Sequence, residues 1–271
     1  MKLAPALLLL LAGCSAAASP EPLRVCADPN NMPFSNQRGE GFENKLVDLI
    51  AADLDRPVEY TWWAQRRGNV RETLNAGRCD LIPGVAAGLE MLATTDPYYA
   101  STYVAVTREG EPPVTSFDDS RLRTMRIGVQ MIGDDFSNTP PAHALSRRGI
   151  VGNVRGYMVY GDYSEGNPQA RIVRAVADGE IDVAFVWGPV GGHFAGRQGR
   201  PLHVQPLPGS PEDRLAFAIA MGTRRGDDAF KGKIEEVLQR RRADIAQLIA
   251  SYDVPLTPLD SVPASEQEDD D

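Results

Sequence analysis

The sequence predicts an α/β protein with two lobes, each a helix-flanked and mainly parallel sheet, joined by two hinge crossings. Three observations point there. Short apolar runs alternate with amphipathic segments along nearly the whole chain, the order that puts helices on the faces of a parallel sheet. The 271 residues leave, after an apolar leader, enough chain for two domains of roughly 100 residues or more each. The first half also has an echo in the second: LNAGRCDLIPGV (74–85) and VADGEIDVAFVWG (176–188) each run from a helix end through a glycine, two residues and an aspartate into an apolar strand. One such turn is common; two in the same context indicate two lobes of one architecture.

Each element follows from its own pattern. LRVCAD (23–28) is a short apolar run and reads as a strand, and FENKLVDLIAADL (42–54) as a helix, since Phe42, Leu46, Ile50 and Leu54 recur every fourth residue and Val47 widens their stripe. VEYTWW (58–63), a helix over NVRETLNAG (69–77) and CDLIPGV (79–85) complete the first cycle. Neighbouring strand residues point to opposite faces, so at least one of Trp62 and Trp63 is expected in the core. After a crossing near Thr107 the second cycle runs through MRIGVQM (125–131), a helix around PPAHALSRRG (140–149), VRGYMVYG (154–161), PQARIVRAVADG (168–179) and IDVAFVWG (181–188). Gly77 and Gly179 suit left-handed helix C-caps, and Asp80 and Asp182 open the strands that follow. The rest, RLAFAIAMGT (214–223) and helices within 227–252, is too small for a domain and returns to the first lobe after a second crossing near 207–214. Residues 21–107 with 214–258 therefore form lobe one, 108–213 lobe two, and 259–271 a tail whose SEQEDDD run is expected to be disordered and solvated.

Ahead of the first strand, Lys2, the apolar run LAPALLLLLAG and small residues read as a secretory signal peptide over 1–20, its greasy core too short to span a bilayer. Leu11–Cys14 (LAGC) is similar to a bacterial lipobox, which implies a lipid anchor on Cys14; cleavage near Ala16–Ser19 would instead release a soluble protein. Either route leaves Cys26 and Cys79, an even pair in an oxidising compartment and so an expected disulfide. No histidine stands near either cysteine and no C-x-x-C occurs, which argues against a metal pair or a catalytic thiol. The formal net charge of -9, from 37 acidic against 28 basic residues, argues against a nucleic-acid partner.

GFENKLVDLIAADL (41–54) resembles the glycine, aromatic, acidic helix start of the type II periplasmic binding protein superfamily, with Asn44 and Lys45 in place of its usual aliphatic and acidic residues. TTDPYYASTYVAV (94–106) is similar to that superfamily's F-S-x-P-Y-Y hinge segment. A narrower resemblance rests on four motifs together: RVCADPNNMPFSN (24–36), GFENKL (41–46), YTWWAQRRGNVRETLNAGRCD (60–80) and DPYYASTYV (96–104) look like the MoxJ/XoxJ type, binding-protein-like partners of pyrroloquinoline-quinone (PQQ) methanol dehydrogenases. That resemblance implies the two-lobed fold, a periplasmic location and a quinoprotein alcohol dehydrogenase as partner.

Amino-acid binders of this superfamily hold the substrate carboxylate with an arginine after an acidic residue and its ammonium with an aspartate after the last strand of lobe two. Here Met91 follows Glu90, and a thioether donates no hydrogen bond; Trp187, Gly188 and Pro189 stand at the second place. An unpaired buried ligand charge costs several kcal/mol, so ordinary amino acids are excluded as ligands. Ligand clefts of open α/β lobes form outside the carboxyl ends of strands. Those ends offer Asp28, Asn30 and Asn31; Trp62, Gln65, Arg66 and Arg67; Gln130, Asp134 and Asp135; Asp162; and Trp187. This amide-rich and aromatic set suits a flat or polyol-like ligand, or a protein surface. For Arg66 and Arg67 a turn-capping or solvated role stays open, as it does for Asp134 and Asp135. His143, His193 and His203 have no metal-ligand spacing, and no nucleophile elbow, phosphate loop or dinucleotide fingerprint occurs. The expectation is a non-enzymatic exported protein without cofactor that docks on a PQQ methanol dehydrogenase to assist its maturation or activation. The alternative is a receptor that hands a small non-amino-acid solute to an ABC importer.

Overall fold

A computed structural model describes residues 20–131, 138–158 and 163–262. The leader with Cys14, the candidates Asp134, Asp135 and Asp162, and the chain from 263 lie outside the described residues. The strands are β1 (Leu23–Ala27), β2 (Asn30–Asn31), β3 (Ser35–Asn36), β4 (Val58–Trp62), β5 (Leu81–Ala86), β6 (Ala93–Thr94), β7 (Tyr99–Arg108), β8 (Ile127–Met131), β9 (Val154–Met158), β10 (Val183–Trp187), β11 (Leu202–Pro206) and β12 (Ala216–Thr223). The helices are α1 (Phe42–Asp53), α2 (Asn69–Glu72), α3 (Pro140–Arg147), α4 (Ala170–Ala177), α5 (Gly188–Ala195), α6 (Asp228–Arg240) and α7 (Arg242–Ala250).

One sheet runs in the order β4-β1-β5-β12-β7-β10-β8-β9, with β6 beside β12 and β11 beside β7. Each end is parallel, as the sequence predicts: β1 pairs in parallel with β4 and β5, and β8 with β9 and β10. The middle is antiparallel. Tyr99–Thr102 of β7 pair with β12, whereas Tyr103–Thr107 pair with β10 and Val104–Arg108 with β11. Within one continuous strand, which also contains Thr107, the pairing thus passes at Thr102–Tyr103 from β12 to β10 and β11. A crossing that never leaves the strand leaves no turn residues to mark it.

In α1 the predicted stripe packs inward: Phe42, Leu46, Val47 and Ile50 are fully buried, and Leu54 caps the helix half-buried. The rings of Phe34, Tyr99 and Tyr252 meet Phe42 edge-on. Asn44, unusual for the superfamily, uses its amide oxygen to accept the N–H groups of Asn36 (3.0 Å) and Gly41 (3.2 Å), so it satisfies donors at the helix start. A side chain at Gly41 would place its Cβ 2.0 Å from the Phe34 carbonyl oxygen, so only glycine fits. Helices α6 and α7 pack on α1 and clasp its end through Arg240 and Arg241, which both pair with Asp53. The predicted helix over 69–77 is the single turn α2, because Thr73 leaves helical backbone (φ -117°, ψ -80°) and its hydroxyl donates to the Asn69 carbonyl at 2.6 Å.

The internal echo is physical. Gly77 and Gly179 take φ of 72° and 76°, and each following aspartate is gripped by two arginines. Asp80 accepts from Arg24 at the start of β1 and from Arg224 after β12; Asp182 accepts from Arg126 before β8 and from Arg108 at the end of β7. Burial alone would raise the Asp80 pKa, but its two guanidinium partners more than offset this and hold it below the usual range; Asp182 is held well below it, chiefly by Arg126. Both depressed groups stabilise the fold above their unfolded pKa and lose that contribution as pH falls through the folded value. Asp80→Ala is expected to cost about 2 kcal/mol, read from the urea midpoint at neutral pH. These clasps sit where the parallel strands begin, opposite the ends that build the site.

Candidate functional site

The strand ends of the two lobes meet along a seam bridged by side-chain amides. The Trp187 N–H, at the end of β10, donates to Gln130 Oε1 (2.7 Å), and Gln130 Nε2 donates to Gln169 Oε1 (2.9 Å). Gln169 Nε2 crosses the seam to Asn31 Oδ1 (2.8 Å); Asn31 Nδ2 donates to Gln65 Oε1 (3.0 Å), and Gln65 Nε2 to the Gly84 carbonyl of β5 (3.0 Å). Gln130, Gln169 and Asn31 are 5%, 0% and 2% exposed, so the run is a buried polar network with each link satisfied. A second staple lies beside it: Asn30 Nδ2 donates to the Glu165 carbonyl (2.8 Å), and its Oδ1 accepts from the Asn167 N–H (3.2 Å).

Two carboxyl groups lie near lobe one's part of the seam. Asp28 is 1% exposed and accepts the backbone N–H groups of Asn30 (2.9 Å) and Gln65 (2.8 Å); burial raises its pKa while those donors oppose the rise. It therefore shapes the loop that carries the amides. Glu43, buried on α1, lies so close to Gly84 that a Cβ there would sit 2.0 Å from Glu43 Oε1, and burial pushes its carboxyl up to about 8. Above the seam opens a cavity of about 770 Å³. Trp62, Trp63 and Arg66 line it from lobe one and Tyr163, Ser164 and Glu165 from lobe two. Trp62 stacks on Tyr60 at 4.5 Å, the Arg78 guanidinium lies 5.1 Å over the Trp63 ring, and Glu165 is paired with Arg171. Arg66 is exposed and forms no ion pair among the described residues.

The structure sorts the sequence candidates. Asn31, Gln65 and Gln130 enter the amide run, and Trp187 joins it through its backbone while its indole meets Tyr103 and Phe217 edge-on. Asn30, Trp62 and Arg66 line the cavity; Arg67 is exposed and outside its lining. The expectation that one tryptophan is core fails: both are half-buried, because β4 is the sheet's edge strand and its end opens onto the cavity. Sequence reasoning missed Gln169, Tyr163 and Glu165. Gln169 precedes α4, at a helix start and not a strand end; a polar residue just ahead of an apolar helix is the available signal. At the two clamp positions Glu90 and Met91 are exposed, and Gly188–Pro189 begin α5 with no carboxylate among them. Among the described residues no cluster of three or more histidine, cysteine, aspartate or glutamate side chains could hold a metal ion, and no helix is long and apolar enough to cross a membrane. Cys26 and Cys79 are joined as a disulfide.

The chain is 27% identical over 256 residues to Protein MoxJ of Methylorubrum extorquens, covering 90% of this chain and 85% of the relative. Its fold matches the crystal structure of the periplasmic binding protein XoxJ from Methylobacterium extorquens AM1 with a TM-score of 0.72 and 38% identity, over 87% of this chain and 99% of that one. MxaJ from Methlophaga aminisulfidivorans MPT shares the fold, with a TM-score of 0.73 at 23% identity over 87% of this chain and all (100%) of that one. Residues 23–253 match the bacterial extracellular solute-binding proteins, family 3, and the chain belongs to that family.

Proposed function

We propose that this protein is a non-enzymatic, exported, binding-protein-like partner of a PQQ-dependent methanol dehydrogenase. It docks on the dehydrogenase or its immature form and assists maturation or activation. The observation that carries this reading is the seam: the space where a two-lobed receptor closes on a solute is spanned by the chain's own amides, and neither amino-acid clamp is present. The similarity to MoxJ and XoxJ supplies the partner class. The cavity mouth is the contact, since its two indoles and Arg66 are residue types that dominate binding energy at protein interfaces.

Binding of the mature, unlipidated protein to the host's purified PQQ methanol dehydrogenase tests this. Saturable binding is expected, weakened about tenfold or more by Trp62→Ala and by Arg66→Ala, which corresponds to about 1.4 kcal/mol each. Absence of binding to both the apo and the cofactor-loaded enzyme overturns it. A saturable rise in thermal stability with a small solute would favour the importer receptor instead.

A further inference from the structure

The amide run between the lobes has a polarity that its two ends dictate. At one end stands the Trp187 N–H, which only donates; at the other the Gly84 carbonyl, which only accepts. Every amide between them must turn its oxygen toward Trp187 and its nitrogen toward Gly84. Gln130, Gln169, Asn31 and Gln65 all do so, and flipping any one would set oxygen against oxygen and N–H against N–H. A carboxylate at any of the four places could not be accommodated by flipping its neighbours, because the backbone ends cannot flip. An amide offers a donor and an acceptor on one short planar group with no proton to lose, and amides cross the seam without the desolvation cost of an ion pair.

The run also fills the seam. Its three innermost members are between 0% and 5% exposed, and none of the four amides lines the cavity that Trp62, Trp63 and Glu165 border. The staple from Asn30 to Glu165 and Asn167 then holds that mouth in register, because the same segment supplies the lobe-two wall.

We propose that Gln130, Gln169, Asn31 and Gln65 act as a built-in surrogate for a solute: they keep the lobes closed with nothing bound and so hold both walls of the outer cavity assembled for its ligand. A receptor of this fold closes when a solute supplies the contacts between its lobes. Here the chain supplies those contacts itself. The inference concerns the isolated protein and stands whether or not the dehydrogenase is its partner.

Small-angle scattering of the mature protein, with Gln169→Met and Gln169→Glu beside wild type, tests it. Wild type is expected to match the closed structure with no added solute and to keep its radius of gyration across a panel of amino acids, sugars and polyols. Gln169→Met keeps the volume but loses both hydrogen bonds, and Gln169→Glu sets acceptor against acceptor at Asn31. Both are expected to stay folded by circular dichroism and to show a larger radius, the glutamate variant more so. Exchange of the Trp187 amide proton in wild type, followed by NMR without solute, is expected to be slow, and roughly tenfold faster or more in Gln130→Met. A wild-type radius that is open without solute, or that shrinks when any solute of the panel is added, overturns the proposal; so does a Gln169→Glu protein as closed as wild type. Should the variants not fold, the wild-type scattering and exchange decide alone.

Discussion

Replacing Cys26 and Cys79 together with serine is expected to lower the unfolding free energy by about 4 kcal/mol, and the melting temperature by about 10 °C. The bond joins residues separated by 53 positions, so it removes a large share of the conformations open to the unfolded chain. Both sulfur atoms are buried, in a cluster with Leu74, Ile82 and Leu92, so the substitution also exchanges apolar contact for hydroxyls in a dry site. The closed loop holds α1, β4, Asn31 and Gln65, and Cys26 lies two residues before Asp28, the carboxylate that orders the seam loop. Loss of cavity binding should therefore accompany loss of stability. Urea titrations of wild type, oxidised and reduced, against the double variant measure the effect; a difference below about 1 kcal/mol would mean the unfolded chain is already compact across this loop.

Glu43→Gln is expected to stabilise the protein by an amount that grows with pH. Burial raises the Glu43 carboxyl from 4.5 to about 8 in the fold, so between those values the native state holds a proton that the unfolded chain releases. A raised folded pKa gives a contribution that is complete below the unfolded value and is lost as pH rises through the folded one. The wild type should thus lose about 1.4 kcal/mol per pH unit from this group across that window, several kcal/mol in all, and level off above it. Glutamine has the same shape and no proton to lose, so the variant should lack that slope. Thermal melts of both proteins at intervals from pH 5 to pH 9 give the comparison, and parallel curves would show that Glu43 is ionised in the fold. Its burial against Gly84 ties this titration to the amide run, because Gly84 also carries the terminal acceptor.

The frame of the fold was legible because it is repeated and periodic. The four-residue spacing of Phe42, Leu46 and Ile50 marks α1, and the doubled G-x-x-D turn marks two equivalent lobes, each clasped by arginines. The disulfide was legible from compartment and parity. Local pattern failed where long-range geometry decides. The turn of α2 is short because the Thr73 hydroxyl bonds the Asn69 carbonyl, and the lobe crossing hides in β7 because both halves of that strand are equally buried. The site was half legible: strand ends gave Asn30, Asn31, Gln65 and Gln130, and Glu165 lies in the same strand-end stretch as Asp162, whereas Gln169 stands at a helix start, where no strand-end rule looks. The bond between Asn31 and Gln169 spans 138 positions of sequence, and neither residue's neighbours announce the other.

That β7 serves both lobes restricts how they can move. A receptor whose lobes are linked by loose segments opens like a book on its spine. Here an unbroken ladder of β12, β7 and β10 runs from one lobe into the other, and a ribbon of that kind resists bending across its ladder far more than it resists twisting along its length. Relative motion becomes torsion about Tyr99–Arg108. Tyr103, the first residue of the second half, pairs with Trp187, so the donor end of the amide run is fixed almost on the axis of that torsion. A point on an axle barely travels; the link that crosses between the lobes, from Gln169 to Asn31, is the one that would part.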